Sequence, residues 1–217
     1  MRQLALDIAT PPAPVFDNFV VGRNAEAIAV LRSAIEGGRE RFVYLWGESG
    51  CGRTHLLKAV AVASKDATYV ACEASSVFDD DAPLLAADDV ERLGADAQVA
   101  LFNRYNALRE HGGGLIASGN VPPVQLKLRA DLLTRLGWGL VVQVHALGDA
   151  EKITALTQQA RARGFDLPIE VSSYLLMHAP RDTGSLFTTL AKLDQYSLET
   201  KRAITVPLVR EWLMQNK

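Results

Sequence analysis

The sequence predicts an α/β protein: a parallel sheet with helices on both faces, followed by a small all-helical unit. Three observations carry this. Short apolar runs alternate with helical patterns up to Leu147, as expected of parallel strands joined by right-handed crossovers. A glycine-rich loop separates the first run from a helix. Beyond Leu147 only helical patterns remain.

Taken in order, Thr10-Pro11-Pro12-Ala13-Pro14 is a stiff, extended spacer that sets the first residues apart as a tethered peptide. Ala27, Ile28, Leu31, Ala34 and Ile35 form a helical stripe over residues 24–36, which Gly37-Gly38 ends. The unbroken apolar run Phe42-Val43-Tyr44-Leu45-Trp46 reads as a buried parallel strand. Residues 54–63 form a helix, and residues 68–72 and 84–87 form strands. The stretch between Cys72 and Leu84 is too short for a full helix, so that crossover is expected to be abbreviated. A helix over residues 98–110 places Leu101, Tyr105 and Leu108 on one face, and strands follow at 114–118 and 140–144. Helices are expected at 149–163, stopped by Gly164, and from Pro168 to about residue 177. Two more are expected at 185–193 and at 206–214, the last capped by Thr205. The expected organisation is a tail and linker (1–14), an α/β base (15–147) and a helical unit (148–217).

Composition excludes several classes. A net charge of −2 argues against a protein that coats nucleic acid. Cys51 and Cys72 are too few for a disulfide framework, and no Cys/His cluster has zinc spacing. Residues 1–8 are too short and polar for a signal peptide and no run spans a bilayer, so a cytoplasmic protein without a membrane partner is expected.

The chemistry concentrates in Gly47-Glu48-Ser49-Gly50-Cys51-Gly52-Arg53-Thr54, a phosphate-loop pattern with arginine at the usual lysine position. Glycines let the backbone wrap a phosphate with its N–H groups inward, and the following helix adds its positive end. Gly47, Gly50, Cys51, Gly52, Arg53, Thr54 and the adjoining His55 are therefore the candidate nucleotide-binding residues, with Thr54 placing a hydroxyl on Mg²⁺. The plainer alternative is a glycine-rich strand-to-helix turn. Arg53 presents a bulkier planar fork than lysine, so binding is expected to survive and hydrolysis to weaken. Asp88-Asp89 ends an apolar strand, the arrangement by which P-loop proteins hold their metal. Asp88 is the candidate metal residue through water, and Asp89 is the candidate for polarising an attacking water; the alternative is a pair of turn aspartates. Asn120 is either a polar sensor of the outer phosphate or a turn residue before Pro122-Pro123.

Phe16-Asp17-Asn18-Phe19-Val20-Val21-Gly22 resembles the opening motif of the bacterial replication initiator DnaA, an AAA+ protein. In that family this stretch lies against the base of the nucleotide, which implies that role for Phe19, Val20, Val21 and Gly22. Thr134-Arg135-Leu136-Gly137-Trp138-Gly139-Leu140 resembles its arginine-finger box, with Arg135 at the finger position. Residues 16–217 resemble the initiator's AAA+ base and helical lid, and no C-terminal DNA-binding domain is expected. Gln3-Leu4-Ala5-Leu6-Asp7 resembles a sliding-clamp-binding peptide, with Asp7 at a position where proline is usual. Together with lid stretches at 161–168 and 186–194, these features are similar to the Hda-type DnaA regulatory inactivators. The resemblance implies a regulator that the polymerase sliding clamp recruits through Gln3, Leu4 and Leu6. It implies that Arg135 acts in trans to make DnaA hydrolyse its ATP. It further implies bound ADP or ATP and self-association as a homodimer or higher form. Gly184 stands where the lid helix of the family carries a second-sensor arginine, which removes a phosphate contact.

Two alternatives stay open. One is an autonomous AAA+ ATPase loading or moving on nucleic acid. Against it, residues 149–217 carry nine Lys/Arg and eight Asp/Glu, which offers no basic field for strong direct DNA binding. The other is a small-molecule P-loop kinase, for which the Arg135 box has no use. For Arg135 itself, the alternative to a finger is a surface ion pair with Asp131, four residues back.

Overall fold

The structure is a computed structural model that describes residues 13–79, 81–180 and 182–216. These divide into two compact units, 13–146 and 147–216.

The first unit is a five-stranded, all-parallel sheet with helices on both faces. Its strands are β1 (Phe42–Trp46), β2 (Ala67–Ala71), β3 (Leu84–Asp88), β4 (Gly114–Gly119) and β5 (Leu140–Gln143), in the order β2-β3-β4-β1-β5. All five apolar runs thus form strands. The central position of β3 and β4 explains their uninterrupted burial, whereas β5, at an edge, is half exposed. Side chains alternate across the sheet with a period of two. Val43, Leu45, Leu84, Ala86 and Ile116 face a core shared with α1 (Ala25–Ile35) and α2 (Arg53–Ala63). Tyr44, Leu85, Ala87, Leu115 and Ala117 face the other core, shared with α3 (Ala95–Glu110) and α4 (Ala130–Leu136). Leu31, Leu45, Leu56, Leu101 and Leu132 are fully buried, and truncating any one of them to alanine costs about 2–5 kcal/mol.

Two local features bear on the sequence reading. Between β2 and β3 the described residues form turns and no helix, as the short spacing anticipates. Helix α4 is one that apolar periodicity does not single out, because its seven residues bury only Leu132 and Leu136.

The second unit is all-helical: α5 (Asp149–Ala162), α6 (Ile169–His178), α7 (Thr183–Thr200) and α8 (Val206–Gln215). Leu156, Val171, Leu175, Leu186, Leu190, Leu193, Leu208 and Val209 close a separate core. Pro168 is the residue before α6 rather than its first residue. Helix α7 is two turns longer than its apolar stripe indicates. Leu193 is its last buried residue and Leu198 is exposed, yet no breaker intervenes before Lys201, which ends the helix at φ +52°. At the other end Asp182 caps the helix, its side chain accepting the Ser185 N–H at 2.8 Å. Among the described residues no helix is long and apolar enough to cross a membrane.

Candidate functional site: a phosphate loop and a separate arginine cradle

The sheet order places the carboxyl ends of β1, β4 and β3 side by side, where ligands of open parallel sheets sit. β1 delivers the glycine-rich loop. The Gly47 N–H donates to the Gly119 carbonyl at 3.3 Å, which ties the loop's start to the end of β4. A Cβ at Gly47 would lie 2.2 Å from the Val144 carbonyl oxygen, so no other residue fits there. Gly52, at φ +106°, turns the chain into α2, and a Cβ there would lie 2.6 Å from the Phe19 ring. Phe19 in turn stands 5.4 Å from the His55 ring, whose Nε2–H donates to the Val15 carbonyl at 2.9 Å. Burial holds the His55 pKa below the ordinary imidazole value. The structure therefore brings Phe19, Gly47, Gly52 and His55 to one place, with half-exposed Val20, exposed Val21 and left-handed Gly22 leading from it. The backbone cradle, opened by Gly50 and Gly52 and backed by the first turn of α2, suits a phosphate. Cys51 is buried, and burial raises its thiol pKa, so it packs rather than reacts.

The charged groups behind the loop are bonded among themselves and to two hydroxyls. Arg53 is buried, and its Nη2 pairs with Asp89 Oδ1 at 3.1 Å, while its Nη1 is buried without a partner. Asp89 has a left-handed backbone, φ +57°, and its N–H donates to Ser118 Oγ at 3.0 Å. Its pKa is raised by burial first and by Asp88 second, against the opposing pull of Arg53. Asp88 is also buried, and both its oxygens are taken: Tyr69 donates its hydroxyl to one at 2.9 Å and Ser118 donates to the other. Thr54 is exposed. Asp88 thus accepts from two hydroxyls, and Asp89 pairs with a guanidinium. Asn120 is exposed at the end of β4, and its backbone N–H donates to Glu91 Oε1 at 3.2 Å. Glu91, whose pKa burial raises and whose Oε2 is buried without a partner, is a neighbour that sequence reasoning misses. So are Tyr69 and Ser118. The signal for Ser118 is a serine at a fully buried position of an otherwise apolar strand.

Arg135 lies in the last turn of α4. The ion pair with Asp131 does not form, because Arg129 holds that acid with bonds of 2.9 and 3.2 Å. Instead the Arg135 Nε–H donates to Asn106 Oδ1 at 3.0 Å, and its Cζ stands 4.0 Å from the Trp138 ring centre and 5.5 Å from that of Phe102. Its two Nη groups make no hydrogen bond among the described residues. In the helical unit, Gly184 is exposed in the first turn of α7. Gln3, Leu4 and Leu6 lie outside the described residues.

Comparison with known proteins matches both units. Residues 12–74 match the family model of the bacterial DnaA ATPase domain, and residues 149–213 match that of the Hda lid domain. Domain III of the replication initiation protein DnaA from Thermotoga maritima superposes with a TM-score of 0.78 at 21% identity, over 95% of this chain and 98% of that one. AMPPCP-bound DnaA from Aquifex aeolicus superposes at 0.71 and 22% identity, over 87% of this chain and 67% of that one. The Thermotoga maritima RuvB Holliday junction branch migration motor gives 0.67 at 14% identity, over 93% and 71% of the two chains. These likenesses establish the AAA+ fold: a P-loop parallel sheet followed by a helical lid. With a DnaA-type ATPase segment in its base and an Hda lid behind it, the chain belongs to the Hda-like, DnaA-related AAA+ proteins of replication initiation.

Proposed function

We propose that this protein is a negative regulator of chromosome replication initiation. It docks on the polymerase sliding clamp, self-associates as a homodimer or higher form, and stimulates hydrolysis of the ATP bound to DnaA, thereby inactivating it. It holds an adenine nucleotide, ADP, in residues 47–55, with the base near residues 19–22. The observation that carries the reading is the contrast between two arginines. Arg53, inside the chain's own phosphate loop, is buried and neutralised by Asp89, the acid that a hydrolytic site needs free. Arg135, outside that loop, is held by uncharged groups with its Nη donors unspent. An AAA+ protein built this way is poor at its own hydrolysis and equipped to assist a neighbour's, because a guanidinium at the outer phosphate stabilises charge that develops during phosphoryl transfer. The Hda lid and the DnaA ATPase segment support the same reading.

The alternative, an autonomous motor or loader on nucleic acid, shares the fold but needs brisk turnover. Steady-state hydrolysis by the isolated protein separates the two. The adaptor reading expects slow turnover that DNA does not accelerate, whereas rapid, DNA-stimulated turnover establishes the motor.

Clamp docking rests on Gln3, Leu4 and Leu6. In an extended peptide alternate side chains can enter a pocket, while the prolines that follow keep the body clear. Deleting residues 1–8 is expected to abolish clamp binding in surface plasmon resonance and to leave nucleotide affinity unchanged. Equal clamp affinity of the two forms refutes the assignment.

A further inference from the structure

Asn24 is the residue before α1, a position where an asparagine side chain ordinarily caps the helix by accepting an N–H of its first turn. Here it makes no such bond. Its amide is spent on the backbone of His145, 121 residues away. The Nδ2–H donates to the His145 carbonyl at 2.9 Å, and Oδ1 accepts the His145 N–H at 2.7 Å. Asn24 is buried, 2% exposed, and a buried amide satisfied twice by one distant residue ties two segments together. Both segments belong to the candidate nucleotide site. On one side Asn24 closes the stretch 19–22, its N–H donating to the Val21 carbonyl at 2.8 Å around left-handed Gly22. Val21, Gly22 and Arg23 are exposed, so that stretch is anchored at its ends, by Phe19 against the sheet core and by Asn24. On the other side His145 follows Val144, whose N–H donates to the Trp46 carbonyl at 2.7 Å and whose own carbonyl abuts Gly47, the first residue of the phosphate loop.

We propose that Asn24 is a positioning residue for the nucleotide base: its two bonds to His145 hold residues 19–22 in register with the phosphate loop, so that base and phosphates meet one preformed surface. The proposal rests on the reading above that places a nucleotide on residues 47–55 with its base near residues 19–22. The tether runs through the sheet. The pairing of β5 with β1 sets Val144 beside Gly47, His145 carries that placement one residue further, and Asn24 passes it to the base side. A stretch with exposed Val21, Gly22 and Arg23 buries too little apolar surface to fix its own course, and every residue left to be ordered by the ligand lowers affinity. Holding it in advance removes that cost. The phosphate side does not depend on the tether, because Gly47 is bonded to Gly119 and the loop runs on into α2. Loss of the Asn24 amide therefore divides the site: the phosphates keep their share of the binding energy and the base loses its own. A residue that served only to cap α1 would change neither share.

The test measures binding of ADP and of pyrophosphate, each with Mg²⁺, by calorimetry for wild type, Asn24→Ala and Leu101→Ala. The last removes a fully buried leucine from the core on the other face of the sheet and serves as the control for lost stability. Asn24→Ala is expected to weaken ADP binding by about tenfold, equivalent to about 1.4 kcal/mol, and to leave pyrophosphate binding unchanged. Leu101→Ala is expected to melt earlier with both affinities unchanged. Amide hydrogen exchange of the wild type supplies a readout that needs no variant. ADP should slow exchange at residues 19–24 and at the His145 amide together with residues 47–54, and in Asn24→Ala only residues 47–54 should respond. Equal ADP affinity of wild type and Asn24→Ala overturns the positioning role. A parallel fall in ADP and pyrophosphate affinity overturns it too, because it marks damage to the phosphate loop itself. So does a wild-type exchange response confined to residues 47–54, whether or not the variant folds. A wild type that binds neither ligand overturns the nucleotide reading itself, and with it the proposal.

Discussion

Replacing Arg135 with alanine is expected to lower the stimulated hydrolysis of DnaA-bound ATP by about a thousandfold or more. Arginine fingers supplied in trans contribute about 10³–10⁵ in rate in other P-loop systems, because charge accumulates on the transferred phosphoryl oxygens and nothing else in the site answers it. The fold is expected to survive. Arg135 sits in the last turn of a seven-residue helix, and its side chain packs over ring faces near the surface instead of bridging buried charges. Its loss removes one hydrogen bond to Asn106 and the stack on Trp138, about 1–2 kcal/mol in all. The phosphate loop joins β1 to α2 beside the ends of β3 and β4 and includes no atom of this cluster, so nucleotide affinity should be unchanged. Parallel measurements of melting temperature, ADP affinity and single-turnover rate distinguish this pattern from general damage. A variant with wild-type stimulation refutes the finger.

Gly52→Ala is expected to weaken adenine-nucleotide binding by about tenfold to a hundredfold. The backbone there is at φ +106°, a conformation that costs an L-residue about 1–3 kcal/mol, and the added Cβ would stand 2.6 Å from the Phe19 ring. The variant loop relaxes by moving that ring or by rotating the peptide, and either movement disperses the cradle that a phosphate must reassemble on binding. Gly37→Ala is the matched control. It imposes a similar strain, φ +82°, at the end of α1, where an added Cβ meets nothing within 4 Å. Calorimetry should therefore find modestly reduced stability with normal ADP affinity for Gly37→Ala and much weaker ADP binding for Gly52→Ala. Equal affinity in the two variants removes residues 47–54 as the nucleotide site.

The architecture is largely legible in the sequence, because burial writes itself into apolar runs. Phe42–Trp46 and residues 84–87 are continuous apolar segments since helices cover both faces of the sheet. Elements without that pressure were harder to read. Helix α4 buries two leucines in seven residues, and α7 continues past its last buried leucine on the absence of a breaker alone. At the site, motif spacing located the loop and the acid pair but not their partners. Acids at strand ends beside a phosphate loop commonly serve a metal, which is the role the sequence leads one to expect of Asp88. Its engagement by Tyr69 and Ser118 depends on which strands lie next to β3, and that is a property of the sheet order. The Asp89 bond to Arg53 likewise follows from the left-handed turn after β3, which local sequence does not announce. Asn106 is 29 positions from Arg135, and only the packing of α3 on α4 joins them.

The most direct test of the account is a single-turnover experiment with the wild-type protein. DnaA is loaded with radiolabelled ATP, mixed with this protein and clamp assembled on DNA, and phosphate release is followed in time. The expected result is rapid conversion of DnaA-bound ATP to ADP that requires the protein and the loaded clamp together and is absent with either one alone. Hydrolysis at the rate of DnaA alone, with a folded, ADP-binding protein present at saturating concentration, contradicts it.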